Sequence, residues 1–438
     1  MPASVTSVSP YKISFLAGTA IVIANMVGTG VFTSLGFQVL GIQSGFVLLM
    51  LWVVGGLIAL CGALCYGELA AAMPRSGGEY HYLSQIYHPA VGFLSGWVSA
   101  TVGFAAPTAL AAMALGRYAA SVWPALNPRV LSVVVVLALT AVHATSRRAG
   151  SRLQVIITGV KVLVLVLFIA AGLATNQPQA ISFVPFAADW QQLLSPAFAM
   201  SLVYVSYAYS GWNAAVYLTG EIAEPRRNLP RILLAGTAVV LLLYVGLNFV
   251  FLYSTPVPQL AGQLEVGYVA ARQLFGPAIG RLMGAVIAGL LVSTVSSMIF
   301  AGPRIVQVMG EDLPALRGLA VVSKAGIPIR AMLLQTALTL VFVLTGTFEK
   351  VLLYAGFVLS LFTFLTVLGL FVLRVRRPDL PRPYRAWGYP LTPLLFLALS
   401  GWTLVFILRD KPLESLYGLL TLLGGLLVYF LGRRMRVV

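Results

Sequence analysis

Long apolar runs alternate along the 438-residue chain with short segments that carry most of the charged residues and turn residues. A transmembrane helix needs about 20 predominantly apolar residues, and irregular backbone or an open sheet edge is not stable against lipid. The runs are 13–39, 45–70, 90–119, 129–145, 153–174, 196–220, 230–254, 277–308, 328–345, 349–373, 388–408 and 413–431. The pattern therefore predicts an all-α polytopic membrane protein with twelve transmembrane helices.

The composition supports this prediction. Hydrophobic residues make up 59% of the chain and charged residues only 9%, whereas a soluble domain carries about 25% charged residues. No long hydrophilic stretch is left in which a membrane enzyme would place paired carboxylates or a histidine, and no repeated pore loop indicates a channel. We therefore expect no catalytic residue, no cofactor and no metal site. Cys61 and Cys65 lie four residues apart in one apolar run, and we interpret them as packing residues.

The net charge of +16 follows the loops between the runs. If the N-terminus is cytoplasmic, 20 of the 28 Lys and Arg residues fall in cytoplasmic segments and seven at the opposite ends. This bias predicts that residues 1–12 and 432–438 are cytoplasmic termini. Attraction to anionic membrane lipid, and not to nucleic acid, accounts for the basic charge. Residues 1–12 lack the order of a signal peptide, so we expect the first run to remain in the mature protein.

The first and sixth runs are interrupted at the same depth. Each continues for roughly 15 residues and then meets residues that weaken a helix, Gly28-Thr29-Gly30 in the first run and Ser210-Gly211 in the sixth. Matched interruptions in two halves indicate a transporter site. Because five spans separate them, we predict inverted repeats at 13–174 and 195–373, followed by two further helices at 388–431. The alternative is that these glycines serve only close helix packing.

An interrupted helix exposes backbone N–H and C=O groups, which are tolerated at membrane depth only against protein, water or a ligand. N–H groups that begin a half-helix favour a carboxylate, and C=O groups that end one favour an ammonium group. An α-amino acid carries both charges on one carbon. We therefore predict a binding site for an amino acid substrate at Met26, Val27, Gly28, Thr29 and Gly30.

The sixth run supplies further candidates near its middle. We predict that Tyr207, Ala208, Ser210 and Asn213 also bind the substrate, with aromatic side chains closing over it and the Asn213 amide beside it. The alternative for the aromatic residues is a belt at the membrane surface.

Lys161 is the one ionisable residue deep inside a run. It follows Arg152 by nine residues, about 13 Å along a helix, which is close to the middle of a hydrocarbon core about 30 Å thick. A central lysine costs about 2.5–3.5 kcal/mol on insertion. This cost favours a function as a fixed cation in place of a bound metal ion, the alternative being a lysine that extends toward the membrane surface.

The eighth run carries four neighbouring hydroxyl groups, on Ser293, Thr294, Ser296 and Ser297. We predict that Ser293, Ser296 and Ser297 line a polar site. The alternative is that each hydroxyl bonds to its own helix.

At these residues the sequence resembles the amino acid–polyamine–organocation (APC) superfamily and, within it, the L-amino acid transporter family, over nearly the whole chain. The motifs that carry the resemblance are Gly28-Thr29-Gly30-Val31-Phe32, Gly67-Glu68-Leu69, Met73-Pro74-Arg75-Ser76-Gly77-Gly78-Glu79-Tyr80, Gly159-Val160-Lys161, Gly211-Trp212-Asn213, Asn228-Leu229-Pro230-Arg231 and Arg382-Pro383-Tyr384-Arg385.

The resemblance implies a LeuT-type fold, with five-plus-five inverted repeats and two additional C-terminal helices. It implies that the N–H groups of Thr29 and Gly30 hold the substrate carboxylate, and that carbonyls around Met26 and Tyr207 take the ammonium group. It also implies that Lys161 occupies the place of a sodium ion in sodium-coupled relatives, near the hydroxyls of the eighth run.

Three departures from the family pattern refine this picture. Residues 123–128 contain no cysteine, whereas animal members join an accessory glycoprotein there, so we expect no covalent accessory subunit. Ala106 precedes Pro107 where the cystine/glutamate branch has arginine, which argues against an anionic substrate. Ser210 stands where the family often has glycine, which narrows the expected pocket.

We therefore expect sodium-independent transport of neutral L-amino acids by alternating access, in a prokaryotic inner membrane. Exchange is favoured over proton symport, because Lys161 is present and no deep carboxylate is found. A carrier of cationic amino acids or polyamines from the same superfamily is the other alternative.

Overall fold

The computed structural model describes residues 12–145, 151–175, 177–313, 316–323 and 326–434. Its α-helices are α1 Phe15–Met26, α2 Gly30–Thr33, α3 Leu35–Gln38, α4 Gly45–Ala72, α5 Gly78–Ile86, α6 Pro89–Val98, α7 Ala105–Val122, α8 Pro128–Thr145, α9 Ser151–Ala174, α10 Ala187–Gln192, α11 Pro196–Tyr209, α12 Pro225–Ser254, α13 Val257–Leu260, α14 Val266–Asp312, α15 Arg317–Ala320, α16 Ile329–Thr345, α17 Phe348–Arg376, α18 Leu391–Asp410 and α19 Pro412–Arg434. A π-helical turn, Ser99–Gly103, joins α6 to α7, and a 3₁₀ segment, Ala214–Glu221, follows α11. Within the described residues the chain forms no β-strand, which confirms the all-α class.

Ten helical segments in the described part of the chain are long and apolar enough to cross a membrane. They are Phe15–Gln38, Gly45–Ala72, Pro89–Val122, Pro128–Thr145, Ile156–Ala174, Pro225–Ser254, Val266–Glu311, Phe348–Arg376, Leu391–Asp410 and Pro412–Gly432. The ninth predicted run is the shorter apolar helix α16, and the sixth is divided between α11 and the 3₁₀ segment. The polytopic membrane protein is confirmed, while the count of twelve spans and the division into repeats stay predictions.

Both predicted interruptions are present in the structure. α1 ends at Met26, and helix resumes at Gly30 as α2, which α3 continues to Gln38. α11 ends at Tyr209, and the 3₁₀ segment begins at Ala214. The cause is local, because glycine and β-branched threonine lose more than other residues when they are fixed in a helix.

The first and sixth runs lie antiparallel to one another. Gly211 meets the Asn25 backbone at one end, and the Ser34 hydroxyl faces the Tyr204 carbonyl at 3.5 Å toward the other. Between them Gly30 packs closely on Ala208. Residue numbers rise along one run as they fall along the other, which is the relation that an inverted repeat requires. The bridge between Ile13, before α1, and Ile222, after the 3₁₀ segment, is itself parallel.

The interruptions themselves lie inside the bundle, since Met26, Thr29, Tyr207 and Ala208 are buried. α4 packs against α12, α11 and α18 in the main core. By contrast, α8, α9 and α19 leave large apolar side chains exposed, among them Leu137, Leu163 and Leu423. A continuous apolar surface of this kind is typical of helices in contact with lipid.

Candidate substrate site at the paired interruptions

The backbone of the first interruption offers both kinds of hydrogen-bonding group. The Val27 N–H donates to Ile23 O, and the Gly28 N–H donates to Met26 O, each at 2.8 Å, which closes the end of α1. The N–H groups of Thr29 and Gly30 stand at the beginning of α2, where no preceding helical turn supplies a carbonyl. These two N–H groups are suited to a carboxylate.

The two interruptions are in direct contact, and glycine makes that contact possible. A Cβ atom on Gly30 would overlap the Cα and Cβ atoms of Ala208, and one on Gly211 would meet the Asn25 backbone at about 3 Å. Gly211 also has a φ of 95°, which L side chains rarely adopt. Tyr207, on the last turn of α11, faces Thr29 across the same gap.

Tyr244 on α12 connects the two interruptions. Its hydroxyl lies 2.6 Å from Met26 O and 3.2 Å from Ala208 O, so one donor bridges a carbonyl from each interrupted helix. Tyr244 is fully buried. Sequence reasoning missed this residue, because a tyrosine among apolar residues carries no signal that distinguishes it from a packing residue.

Lys161 reaches the first interruption from α9. Its Nζ atom donates to Val27 O at 3.2 Å and to Thr294 Oγ1 at 3.0 Å, and the side chain is 2% exposed. The ammonium group therefore links α9, the end of α1 and α14. The alternative, a lysine that extends to the membrane surface, does not occur, because its ammonium group finds two acceptors inside the bundle.

The three serines predicted for a polar site have other contacts. The Ser297 hydroxyl donates to Ser293 O of its own helix at 2.6 Å, and Ser296 Oγ lies 2.7 Å from His143 Nε2 on α8. Ser293 Oγ is buried and has no hydrogen-bond partner within the described residues. Thr294 is the hydroxyl that the structure brings to Lys161, and a shared polar site of the three serines stays a prediction.

Asn213 contacts a buried carboxyl group. Its Nδ2 donates to Glu79 Oε1 at 3.0 Å, and the Tyr66 hydroxyl donates to the same oxygen at 2.6 Å. Burial raises the pKa of the Glu79 carboxyl to about 7, although hydrogen bonds from Tyr66 and Asn213 act in the opposite direction. Sequence reasoning missed Glu79 as a site residue, because it follows a glycine-rich polar turn that predicts an exposed loop.

Two further polar clusters lie at opposite ends of α17. At its beginning, Glu349 Oε1 accepts hydrogen bonds from the Tyr204 hydroxyl at 2.8 Å and from Lys411 Nζ at 3.2 Å. Near its end, Arg374 donates to both carboxylate oxygens of Glu68, from Nε at 2.9 Å and from Nη2 at 2.6 Å. The 25 residues between Glu349 and Arg374 span about 38 Å at 1.5 Å per residue, so the clusters join helices at the two membrane faces.

No group of three or more His, Cys, Asp or Glu side chains is placed to hold a metal ion in the ranges that the structure describes. The two cysteines are buried and unpaired. The groups at the interruptions are backbone N–H and C=O groups, hydroxyl groups, the Asn213 amide and the Lys161 ammonium group. All of them act by hydrogen bonding.

Comparison with known proteins covers the whole of this region. The sequence model of the family described as "Amino acid permease" matches residues 13–425. Large neutral amino acids transporter small subunit 2 of Mus musculus is 29% identical over 432 residues, which cover 96% of this chain and 81% of that protein. Asc-type amino acid transporter 1 of Homo sapiens is 31% identical over 439 residues, with 96% and 82% covered. The b(0,+)-type amino acid transporter 1 of Mus musculus is 28% identical over 430 residues, with 96% and 87% covered.

Proposed function

Since the chain belongs to the amino acid permease family, we propose that it exchanges neutral L-amino acids across the membrane without sodium, by alternating access. Family membership makes it an integral membrane transporter of amino acids and not an enzyme. We further propose that the protein lies in a prokaryotic inner membrane with both termini in the cytoplasm. The orientation follows from the excess of Lys and Arg in the segments on that side. A covalent accessory subunit is not expected, because residues 123–128 lack cysteine.

The proposed substrate pose follows from the backbone of the two interruptions. The substrate carboxylate accepts hydrogen bonds from the N–H groups of Thr29 and Gly30, at the positive end of a half-helix. The ammonium group binds to the carbonyls of Met26 and Tyr207. Tyr207 O has a second lone pair beside the Ser210 N–H, whereas Met26 O accepts from both the Gly28 N–H and the Tyr244 hydroxyl and exchanges one of these bonds for the substrate. Asn213 follows the second interruption in the chain, and its side-chain amide donates to Glu79.

The observation that carries sodium independence is the position of Lys161. A sodium ion binds to oxygen ligands such as carbonyls and hydroxyls, and Val27 O and Thr294 Oγ1 are oxygens of that kind. Both already accept hydrogen bonds from the Lys161 ammonium group. Since the cation is covalently part of the protein, no dissolved sodium ion is needed to bring these helices together.

The neutral substrate class rests on the side chains around the interruptions. Ala208, which packs on Gly30, offers no charge to a substrate side chain, and the family resemblance gives the same indication for Ala106, which precedes Pro107. The name of one relative, the large neutral amino acids transporter small subunit 2, supports the same class. A carrier of cationic amino acids is the second candidate, because Glu79 places a carboxyl group in contact with Asn213.

Uptake by the purified protein in liposomes tests the proposal. Labelled alanine should enter liposomes that contain unlabelled alanine and should not accumulate in empty ones, with the same rate in sodium and in choline. A panel of competing amino acids separates the classes, since the proposal expects leucine, serine or alanine to compete and lysine not to. Sodium-dependent uptake into empty liposomes contradicts the proposed exchange, and competition by lysine alone favours the second candidate.

A further inference from the structure

Two carboxyl groups are buried near the membrane face at which α1 begins, and they differ in their partners. Glu68 is fully buried, and it accepts hydrogen bonds from Arg374 and from the Ala386 N–H, with Arg382 Nε at 3.5 Å. Glu79 is 5% exposed. Among the described residues it forms no ion pair, and its hydrogen bonds come from the neutral groups of Tyr66 and Asn213.

Among the described residues no cation is paired with Glu79. The titratable and charged groups on α5 and just before it are Arg75, Tyr80, His81 and Tyr82. On the elements packed around it they include Tyr66 and Glu68 on α4, Tyr217 and Glu221 on the 3₁₀ segment, and Arg374 and Arg376 on α17. Arg374 is paired with Glu68, and Arg376 donates to Ile86 O at 3.1 Å. Burial and the nearby Arg75 guanidinium both lower the pKa of His81, so this histidine is neutral near pH 7.

Burial without a paired cation favours a neutral carboxylic acid at Glu79, although the hydrogen bonds from Tyr66 and Asn213 favour the ionised form. The Tyr66 and Asn213 donors both converge on Oε1, so Oε2 is the oxygen that can carry the acid proton. The Ser95 hydroxyl also faces this carboxyl group, as a third neutral polar group. An ionised carboxylate buried without a cation is unfavourable, and such groups become neutral instead.

We propose that Glu79 is a proton-binding site, which holds a proton while Tyr66 and Asn213 enclose it and releases the proton to water when the 3₁₀ segment moves away. The inference rests on the proposed transport function, because alternating access supplies that movement. The step is a single dissociation, in which the carboxyl O–H bond breaks and a water molecule at the same membrane face takes the proton.

The position of Glu79 sets the consequence for transport. α5 lies beside the face where α1 begins, since Ser76 Oγ, just before this helix, accepts the Gly220 N–H at 2.8 Å. A proton that is taken up from and returned to one face is not carried across the membrane. Protonation therefore changes the rate of exchange, because it stabilises the enclosed state, but it does not drive accumulation of substrate.

The first measurement is independent of transport. Infrared difference spectra of the purified full-length protein, recorded from about pH 3.5 to about pH 9, report the C=O stretch of protonated carboxyl groups. Relative to Glu79→Gln, the wild type should show one additional band that disappears with a midpoint near pH 7. Tyr66→Phe should move this midpoint to higher pH, because the Tyr66 hydrogen bond stabilises the ionised form. The control Glu311→Gln removes an exposed carboxyl group and should leave the band unchanged.

The second measurement is alanine exchange in liposomes at equal internal and external pH. For one group with a pKa of about 7, the protonated fraction falls about tenfold between roughly pH 6 and pH 8. We expect the wild-type rate to rise about tenfold over this range and the Glu79→Gln rate to stay near the slow wild-type value of low pH. Glu311→Gln should follow the wild type.

The possible results distinguish the proton-binding site, its link to transport and the proposed function. A missing band, or a band with a midpoint near 4.5, the ordinary value for glutamate, overturns the proton-binding site. A normal band with the same pH profile in wild type and Glu79→Gln overturns its link to transport. Absence of exchange at every pH, with the band present, counts against the proposed function and leaves the proton-binding site standing.

Discussion

Replacement of Lys161 by methionine separates a role in transport from a role in packing. Methionine keeps most of the side-chain length and removes the ammonium group that donates to Val27 O and Thr294 Oγ1. A hydrogen bond from a charged donor contributes about 1.5–3 kcal/mol, so the two bonds together hold the first interruption by about 3 kcal/mol or more. Since about 1.4 kcal/mol corresponds to a factor of ten, we expect exchange to slow by about 100-fold.

The stability of the protein should change much less than its transport rate. A lysine near the middle of the membrane costs about 2.5–3.5 kcal/mol relative to an apolar residue, and methionine removes that cost. This gain offsets the loss of two hydrogen bonds of similar total magnitude. The apparent melting temperature of Lys161→Met should therefore stay within about 3 °C of the wild type.

The assay is alanine exchange in liposomes, alongside thermal unfolding of the same preparations. Lys350→Ala is the matched control, because it removes an exposed lysine at the beginning of α17, and it should exchange at the wild-type rate. Thr294→Val removes one of the two acceptors and should slow exchange about tenfold. A wild-type rate in Lys161→Met, or an equal loss of rate and stability, would refute the reasoning.

Three other substitutions test the contacts around the site. Gly30→Ala should reduce exchange more than tenfold, because the added Cβ overlaps Ala208, whereas Gly289→Ala, with open space around it, should leave exchange unchanged. Tyr244→Phe should lower the free energy of unfolding by about 1 kcal/mol and slow exchange severalfold, measured by denaturation and uptake, and an unchanged rate would remove its hydroxyl from the site. Glu68→Gln should lower the melting temperature markedly, because breaking a buried ion pair costs about 3 kcal/mol or more, and an unaltered melting temperature would contradict the pairing.

The sequence was sufficient to predict the membrane-spanning helices and the residues at which two of them are interrupted. Hydropathy indicates α4 and α17 directly, because a span must satisfy its backbone internally over a fixed thickness. The interruption after Met26 is also local, since Gly28, Thr29 and Gly30 weaken the helix in any context. The end of the eighth run was predicted less well: the run was expected to end at residue 308, and α14 continues to Asp312. Nothing in the apolar pattern stops a helix that extends past the membrane.

The site was predictable where a residue conflicts with its own surroundings in the sequence. Lys161 is conspicuous because a charge in an apolar run is costly. Its partners Val27 O and Thr294 Oγ1 were not predictable, since they come from helices distant in the chain. Glu79 presents the opposite case, because its sequence neighbours are polar and only the packing of α5 against α4 and the 3₁₀ segment removes it from water.

The contacts at the first interruption suggest how one short stretch can be both held and free to move. Three side chains reach it from three different helices: Lys161 donates to Val27 O, Tyr244 to Met26 O, and Tyr118 to Phe32 O at 2.8 Å. Each acceptor is a carbonyl near a helix end, where the regular ladder of helical hydrogen bonds is incomplete. Breaking such a contact costs roughly 1 kcal/mol for a neutral donor and unwinds no helix. The interruption can therefore change its partners in steps of a few kcal/mol, while α4 and α12 stay intact around it, and this is the energy scale that alternation between two states requires.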